Sequence, residues 1–133
     1  MNNLEREIKK IFDSNSDIFS KVKLVEEIIY INKLEKNNIV QNYLSNENYD
    51  ENLFGILLTG KLKLENAKPC LKRIIEKNES LTPYAIISIA EIDKSIENYE
   101  YLKKYISNPY LKKATLTGLS LIKKNKDIIK KEF

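Results

Sequence analysis

The sequence repeats itself at a spacing of about thirty residues, and this repetition constrains the fold more than any other feature. The segment 53–75 superposes on 84–106 at an offset of 31 without a gap, including a basic pair in each copy. A weaker copy over 24–46 precedes them, and a further copy begins at Ala114. Because one helix pair cannot bury its apolar face alone, this repetition favours units that stack on one another.

Apolar residues recur with the period of an α-helix along most of the chain. Val22, Val25 and Ile29, for example, continue a predicted core stripe that begins at Phe19. Sustained strand-like alternation is missing, and three Gly and three Pro leave little material for the tight turns of a β-sandwich. The sequence therefore predicts an all-α fold built from short helices.

Polar segments predict where these helices end, and two proline motifs predict where helices begin. The predicted breaks lie at 13–17, 36–38, 46–50 and 77–80. Thr82 before Pro83, and Asn108 before Pro109, have the pattern of an N-cap followed by proline at the first helical position. We therefore expect one helix to begin at Pro83 and another at Pro109.

The repeating units resemble short HEAT-like repeats, and the residues that carry the resemblance are 53–75, 84–106 and the segment from Ala114 onward. The ladder of stacked Asp and Arg seen in many HEAT repeats is not evident, and the spacing and aromatic pattern of tetratricopeptide repeats are missing. The resemblance implies a single domain over 1–133, folded as a short right-handed α-solenoid of about four stacked helix pairs. An ordinary helical bundle is the alternative. The predicted units cover approximately 1–45, 46–80, 81–107 and 108–133.

Positive charge is concentrated in the second half of the chain. Residues 1–66 contain nine Lys and Arg against eleven Asp and Glu, whereas residues 67–133 contain fourteen against eight. Such an excess can attract acidic proteins or nucleic acid, although a solvated lysine-rich surface is the ordinary explanation.

The composition argues against catalysis. The chain has no histidine, the side chain best suited to proton transfer near neutral pH. Adjacent acidic residues such as Glu26 and Glu27 point about 100° apart on a helix and cannot converge on one substrate atom. Motifs for binding nucleotides or calcium are missing. We therefore expect a protein that is not an enzyme and that needs no cofactor or metal.

The single cysteine and the character of the N-terminus predict a cytoplasmic protein. Cys70 has no partner for an internal disulfide or for a usual zinc site. Charged residues occupy the N-terminus where a signal peptide needs an apolar segment, and the longest apolar stretches are too short to cross a bilayer. We expect no membrane partner.

The candidate partner-binding residues lie on two predicted inner helices. They are Lys72, Arg73, Tyr101, Lys103, Lys104 and Tyr105. The core stripe of the second of these helices is predicted to contain Ile96, Tyr99, Leu102 and Ile106. Tyr101 and Tyr105 lie one turn apart and away from that stripe, and tyrosine is common at protein interfaces. Their repeat counterparts, Cys70 and Ile74, favour packing against a neighbouring repeat instead.

These features predict a module that binds another protein. In its size and non-catalytic composition the chain also resembles small bacterial immunity proteins that neutralise a cognate toxin. Frequent Lys, Asn and Ile are typical of an AT-rich bacterial genome. Two alternatives stay open: a nucleic-acid-binding repeat, whose basic stripe would include Lys126, and a structural protein that assembles through an end repeat.

Overall fold

The computed structural model describes the backbone of residues 3–32 and 36–123, with their side chains apart from those of 31, 32, 36 and 37. Every regular element in these residues is helical, which confirms the all-α class. The α-helices are α1 (Asn3–Phe12), α2 (Ile18–Asn32), α3 (Lys36–Leu44), α4 (Tyr49–Lys61), α5 (Lys68–Lys77), α6 (Thr82–Ile92), α7 (Ile96–Lys103) and α8 (Lys112–Lys123), and 3-10 turns cover Glu65–Ala67 and Lys104–Ser107. None of these helices is long and apolar enough to span a membrane. Lys126 and the predicted helix at 127–129 lie outside the described residues.

The helices form two compact units, Met1–Leu62 with α1 to α4 and Lys63–Phe133 with α5 to α8. The boundary falls inside the repeat predicted over 46–80. As a result α4 and α5, which the repeat pattern assigns to one helix pair, belong to different compact units.

The first unit depends on a close approach between α3 and α4. Gly55 of α4 lies against the last turn of α3, where an added Cβ would come within 2.6 Å of the Leu44 backbone nitrogen. Asn52, one turn earlier on α4, donates its side-chain amide to the Leu44 carbonyl oxygen at 2.7 Å. This bond satisfies a carbonyl that the end of a helix leaves without an intrahelical partner. Gly55 permits the close approach of α3 and α4, and the hydrogen bond from Asn52 stabilises it.

The second unit is built around α6, which packs against both α5 and α8. Its residues Ala85, Ile86, Ile89 and Ala90 are fully buried. Gly118 of α8 faces this helix, because an added Cβ would lie 3.3 Å from the Ala90 methyl carbon. α7 packs against α8 as well, so the apolar surface of α8 joins α6 and α7.

Three of the predicted breaks are confirmed, and one is wrong. The segments 13–17, 46–50 and 77–80 each contain the junction between two helices. At the last junction Asn78 adopts the left-handed conformation, with φ of 52°, in which asparagine commonly ends a helix. The break predicted at 36–38 is instead the first turn of α3, since α2 has already ended at Asn32.

Neither predicted side-chain cap forms, although Pro83 does lie in the first turn of α6, which begins at Thr82. The Thr82 hydroxyl does not cap its own helix; it accepts a bond from the Glu79 N–H and donates one to the Ile74 carbonyl oxygen of α5. The Asn108 side chain accepts from the Tyr110 N–H, and α8 begins only at Lys112. In both places a turn between helices uses the side chain that the sequence pattern assigns to capping.

Two residues predicted to face the core are exposed. Phe19 of α2 is 62% exposed, although Val22, Val25 and Ile29 of the same stripe are buried. Ile106 is 37% exposed because it lies in the 3-10 turn after α7. A 3-10 helix has about three residues per turn, so it carries the side chain off the stripe that a period of 3.6 predicts.

Candidate functional site

Two helices of the second unit bring tyrosine and lysine side chains together on its surface. α5 supplies Lys72 and Glu76, which lie one turn apart on the same helix face. The last turn of α7 supplies Tyr101, and the 3-10 turn that follows supplies Lys104 and Tyr105. We call these five residues the aromatic–lysine patch.

Tyr101 lies at the centre of the patch. The Nζ atoms of Lys104 and Lys72 lie 4.5 and 4.9 Å from the centroid of its ring. Lys104 also lies 5.4 Å from the Tyr105 centroid, and the two tyrosine rings meet edge to face with centroids 5.9 Å apart. The Tyr101 hydroxyl donates to the Glu76 carboxylate at 3.3 Å. At exposed sites each lysine–ring contact is worth about 0.5–1 kcal/mol, so the contacts order the patch before any partner binds.

Burial divides the patch into a half-buried aromatic centre and an exposed charged rim. Tyr101 and Tyr105 are half-buried, whereas Lys72, Lys104 and Glu76 are exposed. The tyrosines are thus neither fully exposed anchors nor core residues, the two possibilities that the repeat alignment leaves open. Half-buried tyrosines lose little conformational freedom when a partner covers them, which is one reason that this residue dominates protein interfaces.

Tyr101 stays protonated at neutral pH. Burial, the adjacent Tyr105 and the Glu76 carboxylate together raise the pKa of Tyr101 above its usual value of 10. The phenol can therefore donate a hydrogen bond, and its uncharged ring attracts cations through its π-face. The exposed ammonium groups keep N–H donors for carboxylates or carbonyl oxygens of a partner. This chemistry suits binding to a surface that carries both apolar and acidic groups.

Four of the six predicted binding residues come together, and two do not. Lys103 lies 5.9 Å from the ring centroid of Tyr99, which is also approached by Lys123 of α8 at 5.8 Å. Arg73 is exposed on α5 beside Lys72. Among the described residues, its guanidinium does not stack on a tyrosine ring of the patch. The repeat alignment pairs Lys72 with Lys103. In the structure, however, Lys72 and Lys104 are the two lysines whose ammonium groups approach the Tyr101 ring.

Sequence reasoning missed Glu76, the acidic member of the patch. Its position four residues after Lys72 is the signal that could have placed both side chains on one helix face. Lys123 belongs to the lysine-rich second half of the chain, but no sequence spacing predicts its contact with Tyr99. Cys70, at the start of the same α5 helix, is half-buried and is not part of the patch.

No protein-family model matches the chain, and no curated protein or solved structure is significantly similar to it. Its function must therefore be inferred from its own residues.

Proposed function

We propose that this chain is a non-catalytic module that binds another protein through the aromatic–lysine patch. We further propose that it is a bacterial immunity protein, which binds a cognate toxin in the cytoplasm and neutralises it. In this proposal the helices form a short HEAT-like α-solenoid. The packing of α6 against both α5 and α8 in the second unit supports stacked helix pairs there.

One observation carries the proposal: two lysines from different elements share the ring of a single half-buried tyrosine. The arrangement joins apolar area, fixed geometry and cationic hydrogen-bond donors, a combination typical of the residues that dominate binding energy at interfaces. With Lys72 and Lys104 against Glu76, the patch carries a net positive charge. We therefore expect the bound surface of the toxin to be acidic.

Neutralisation of a toxin needs no chemistry from the inhibitor, because covering the toxin surface is sufficient. This requirement agrees with a chain that has no histidine and a single cysteine. Opposite charges also accelerate association, which benefits a protein that must reach a toxin before damage occurs.

A growth assay tests the immunity proposal. If a neighbouring reading frame encodes a large secreted protein with a variable C-terminal domain, that domain is the toxin candidate, and it is expressed together with this chain in a bacterial host. We expect the wild-type chain to restore growth and the double variant Lys72→Glu/Lys104→Glu to lose protection. The control Lys112→Glu/Lys113→Glu makes the same charge change at exposed positions of α8, outside the patch, and should protect. Absence of protection by the wild type would contradict the immunity proposal.

Nucleic-acid binding is the second candidate function, and the arrangement around Tyr99 favours it. Lys103 and Lys123 approach this ring, so the second unit has a further pair of clustered cations beside the patch residues. A salt-titrated binding assay with duplex DNA and single-stranded RNA distinguishes the two candidates. If the surface binds phosphates, the affinity for nucleic acid should fall steeply as the salt concentration rises. If the chain binds only a protein, it should not bind nucleic acid even at low salt.

A further inference from the structure

The first unit contains a cleft of about 180 Å³ that lies outside the aromatic–lysine patch. Pockets for whole small-molecule ligands usually enclose about 300–1,000 Å³, so this volume suits a single side chain better than a metabolite. Helices α1 and α3 and the first turn of α4 contribute its lining. The residues that matter for its chemistry are Glu5, Lys9, Phe12, Asn42, Tyr43 and Glu51.

Aromatic rings give the cleft a rigid wall. The Phe12 and Tyr43 centroids lie 5.6 Å apart, and each lies 5.0 Å from the ring of Phe54, which is fully buried beneath them. The Phe12 ring already attracts one cation of the chain, because the Lys21 ammonium lies 5.4 Å from its centroid. Lys21 does not line the cleft. Two packed aromatic side chains, Phe12 and Tyr43, therefore line the cleft, and aromatic rings are groups that cations approach.

The described charges around this wall are predominantly negative. Among the residues whose side chains the structure describes, Glu5 and Glu51 line the cleft together with one ammonium group, that of Lys9. Lys9 in turn forms an exposed ion pair with Asp13 at 3.8 Å. Burial and the carboxylates of Glu51, Asp13 and Glu5 raise the pKa of Tyr43 to about 12. The phenol is thus uncharged at neutral pH and lies in a negative local potential.

We propose that this cleft is a docking site for an arginine side chain of a protein partner. A guanidinium is planar, stacks on aromatic rings and presents paired N–H donors that match a carboxylate such as Glu51. A lysine ammonium is a compact and strongly hydrated charge, which makes it the poorer occupant of an aromatic-walled cleft. The site is independent of the aromatic–lysine patch, so either proposal can fail while the other holds.

The direct test is an NMR titration of the full chain with N-acetyl-arginine methylamide as the probe. We expect its binding to shift the ring resonances of Phe12 and Tyr43, with a Kd of roughly 1–10 mM for a probe of this size. Ethylguanidinium should bind similarly, because the side chain carries the interaction. N-acetyl-lysine methylamide should bind more weakly. The ring resonances of Tyr101 and Tyr105 in the second unit serve as internal controls and should not move.

Three variants separate the cleft from a general charge effect. Glu51→Gln should weaken binding of the arginine probe about fivefold, and Lys9→Gln should strengthen it, because each changes a charge in the lining. Asp50→Asn is the matched control: Asp50 shares the first turn of α4 with Glu51 but is exposed and does not line the cleft. This control should bind as the wild type does.

Three outcomes would overturn the proposal. The first is an arginine probe that leaves the Phe12 and Tyr43 resonances unshifted. The second is equal weakening by Asp50→Asn and Glu51→Gln, which would indicate a diffuse charge effect and not a site. The third is tighter binding of free L-arginine than of the blocked residue, since this would identify a site for the free amino acid.

Discussion

The Nζ atom of Lys104 lies 4.5 Å from the centroid of the Tyr101 ring, at the point where α7 changes into a 3-10 turn. A turn of about three residues places Lys104, three residues after Tyr101, on the side of the helix that carries Tyr101. Tyr105 follows Tyr101 by four residues and lies beside it, and Lys72 of α5 completes the group. The cluster therefore depends on an irregular end of a helix as well as on contact between α5 and α7.

The raised pKa of Tyr101 predicts a loss of stability at alkaline pH. The folded chain holds this proton more tightly than the unfolded chain, whose tyrosines have a pKa of about 10. The resulting stabilisation is fully present below pH 10 and is lost as the pH rises above it. Denaturant unfolding at several alkaline pH values should show a smaller loss in Tyr101→Phe than in the wild type. Tyr30→Phe, at a position that is 84% exposed, is the control. Equal losses in the two variants would contradict the assignment.

Replacing Gly55 with alanine should destabilise the first unit. Alanine ordinarily stabilises a helix by about 0.5–1 kcal/mol relative to glycine. Here its Cβ would meet the backbone of Leu44 at 2.6 Å, which a side-chain movement cannot relieve. We expect the free energy of unfolding to fall by about 1–3 kcal/mol, measured by urea denaturation. Gly118→Ala is the matched control, because its nearest contact is a side-chain methyl at 3.3 Å. A Gly55→Ala variant at least as stable as the wild type would contradict the close approach of α3 and α4.

The hydroxyl of Thr82 should stabilise the junction between α5 and α6. It is fully buried, accepts from the Glu79 N–H at 2.9 Å and donates to the Ile74 carbonyl oxygen at 2.8 Å. Thr82→Val keeps the shape but removes both bonds, which should lower the free energy of unfolding by about 1–3 kcal/mol. Thr117→Val removes one exposed hydroxyl bond on α8 and should have little effect. Equal stability of Thr82→Val and the wild type would show that these bonds contribute nothing.

Asp93 should make the second unit sensitive to acid. Burial by itself would raise the pKa of Asp93, but hydrogen bonds from Ser95 and the charge of Lys68 outweigh it and hold the pKa below 3.8. The stabilisation is present above pH 3.8 and is lost as the pH falls through the lower pKa of the folded state. Asp93→Asn should cost about 0.5–1 kcal/mol at neutral pH and progressively less below pH 3.8, by urea unfolding. Glu100→Gln, at an exposed position of α7, is the control. A cost of Asp93→Asn that stays constant with pH would contradict the assignment.

Local patterns in the sequence predict the position and the buried face of a helix well where neighbouring residues alone determine them. The apolar period places Val22, Val25 and Ile29 in the core, and polar segments separate most helices. The predictions are wrong where contacts between helices determine the role of a side chain. Thr82 has the sequence pattern of an N-cap, but the nearby end of α5 provides an acceptor that the pattern cannot reveal.

The aromatic–lysine patch shows the same division between local and long-range information. Tyr101 and Tyr105 are predictable neighbours because they lie one turn apart in the sequence. The contact of Lys72 with Tyr101 joins residues on separate helices, and its register depends on how α5 and α7 meet. Repeat alignment places Lys72 opposite Lys103, and a single 3-10 turn is enough to make Lys104 the residue that shares its ring.

Calorimetric titration of Tyr101→Ala against the candidate toxin domain tests the central claim most directly. This change removes the ring that Lys72, Lys104 and Tyr105 all contact, so we expect the affinity to fall by about thirtyfold or more. Tyr30→Ala, which removes an exposed tyrosine from α2, should bind within about twofold of the wild type, since exposed residues outside an interface contribute little. Equal affinity of Tyr101→Ala and the wild type would contradict the claim that the aromatic–lysine patch binds the partner.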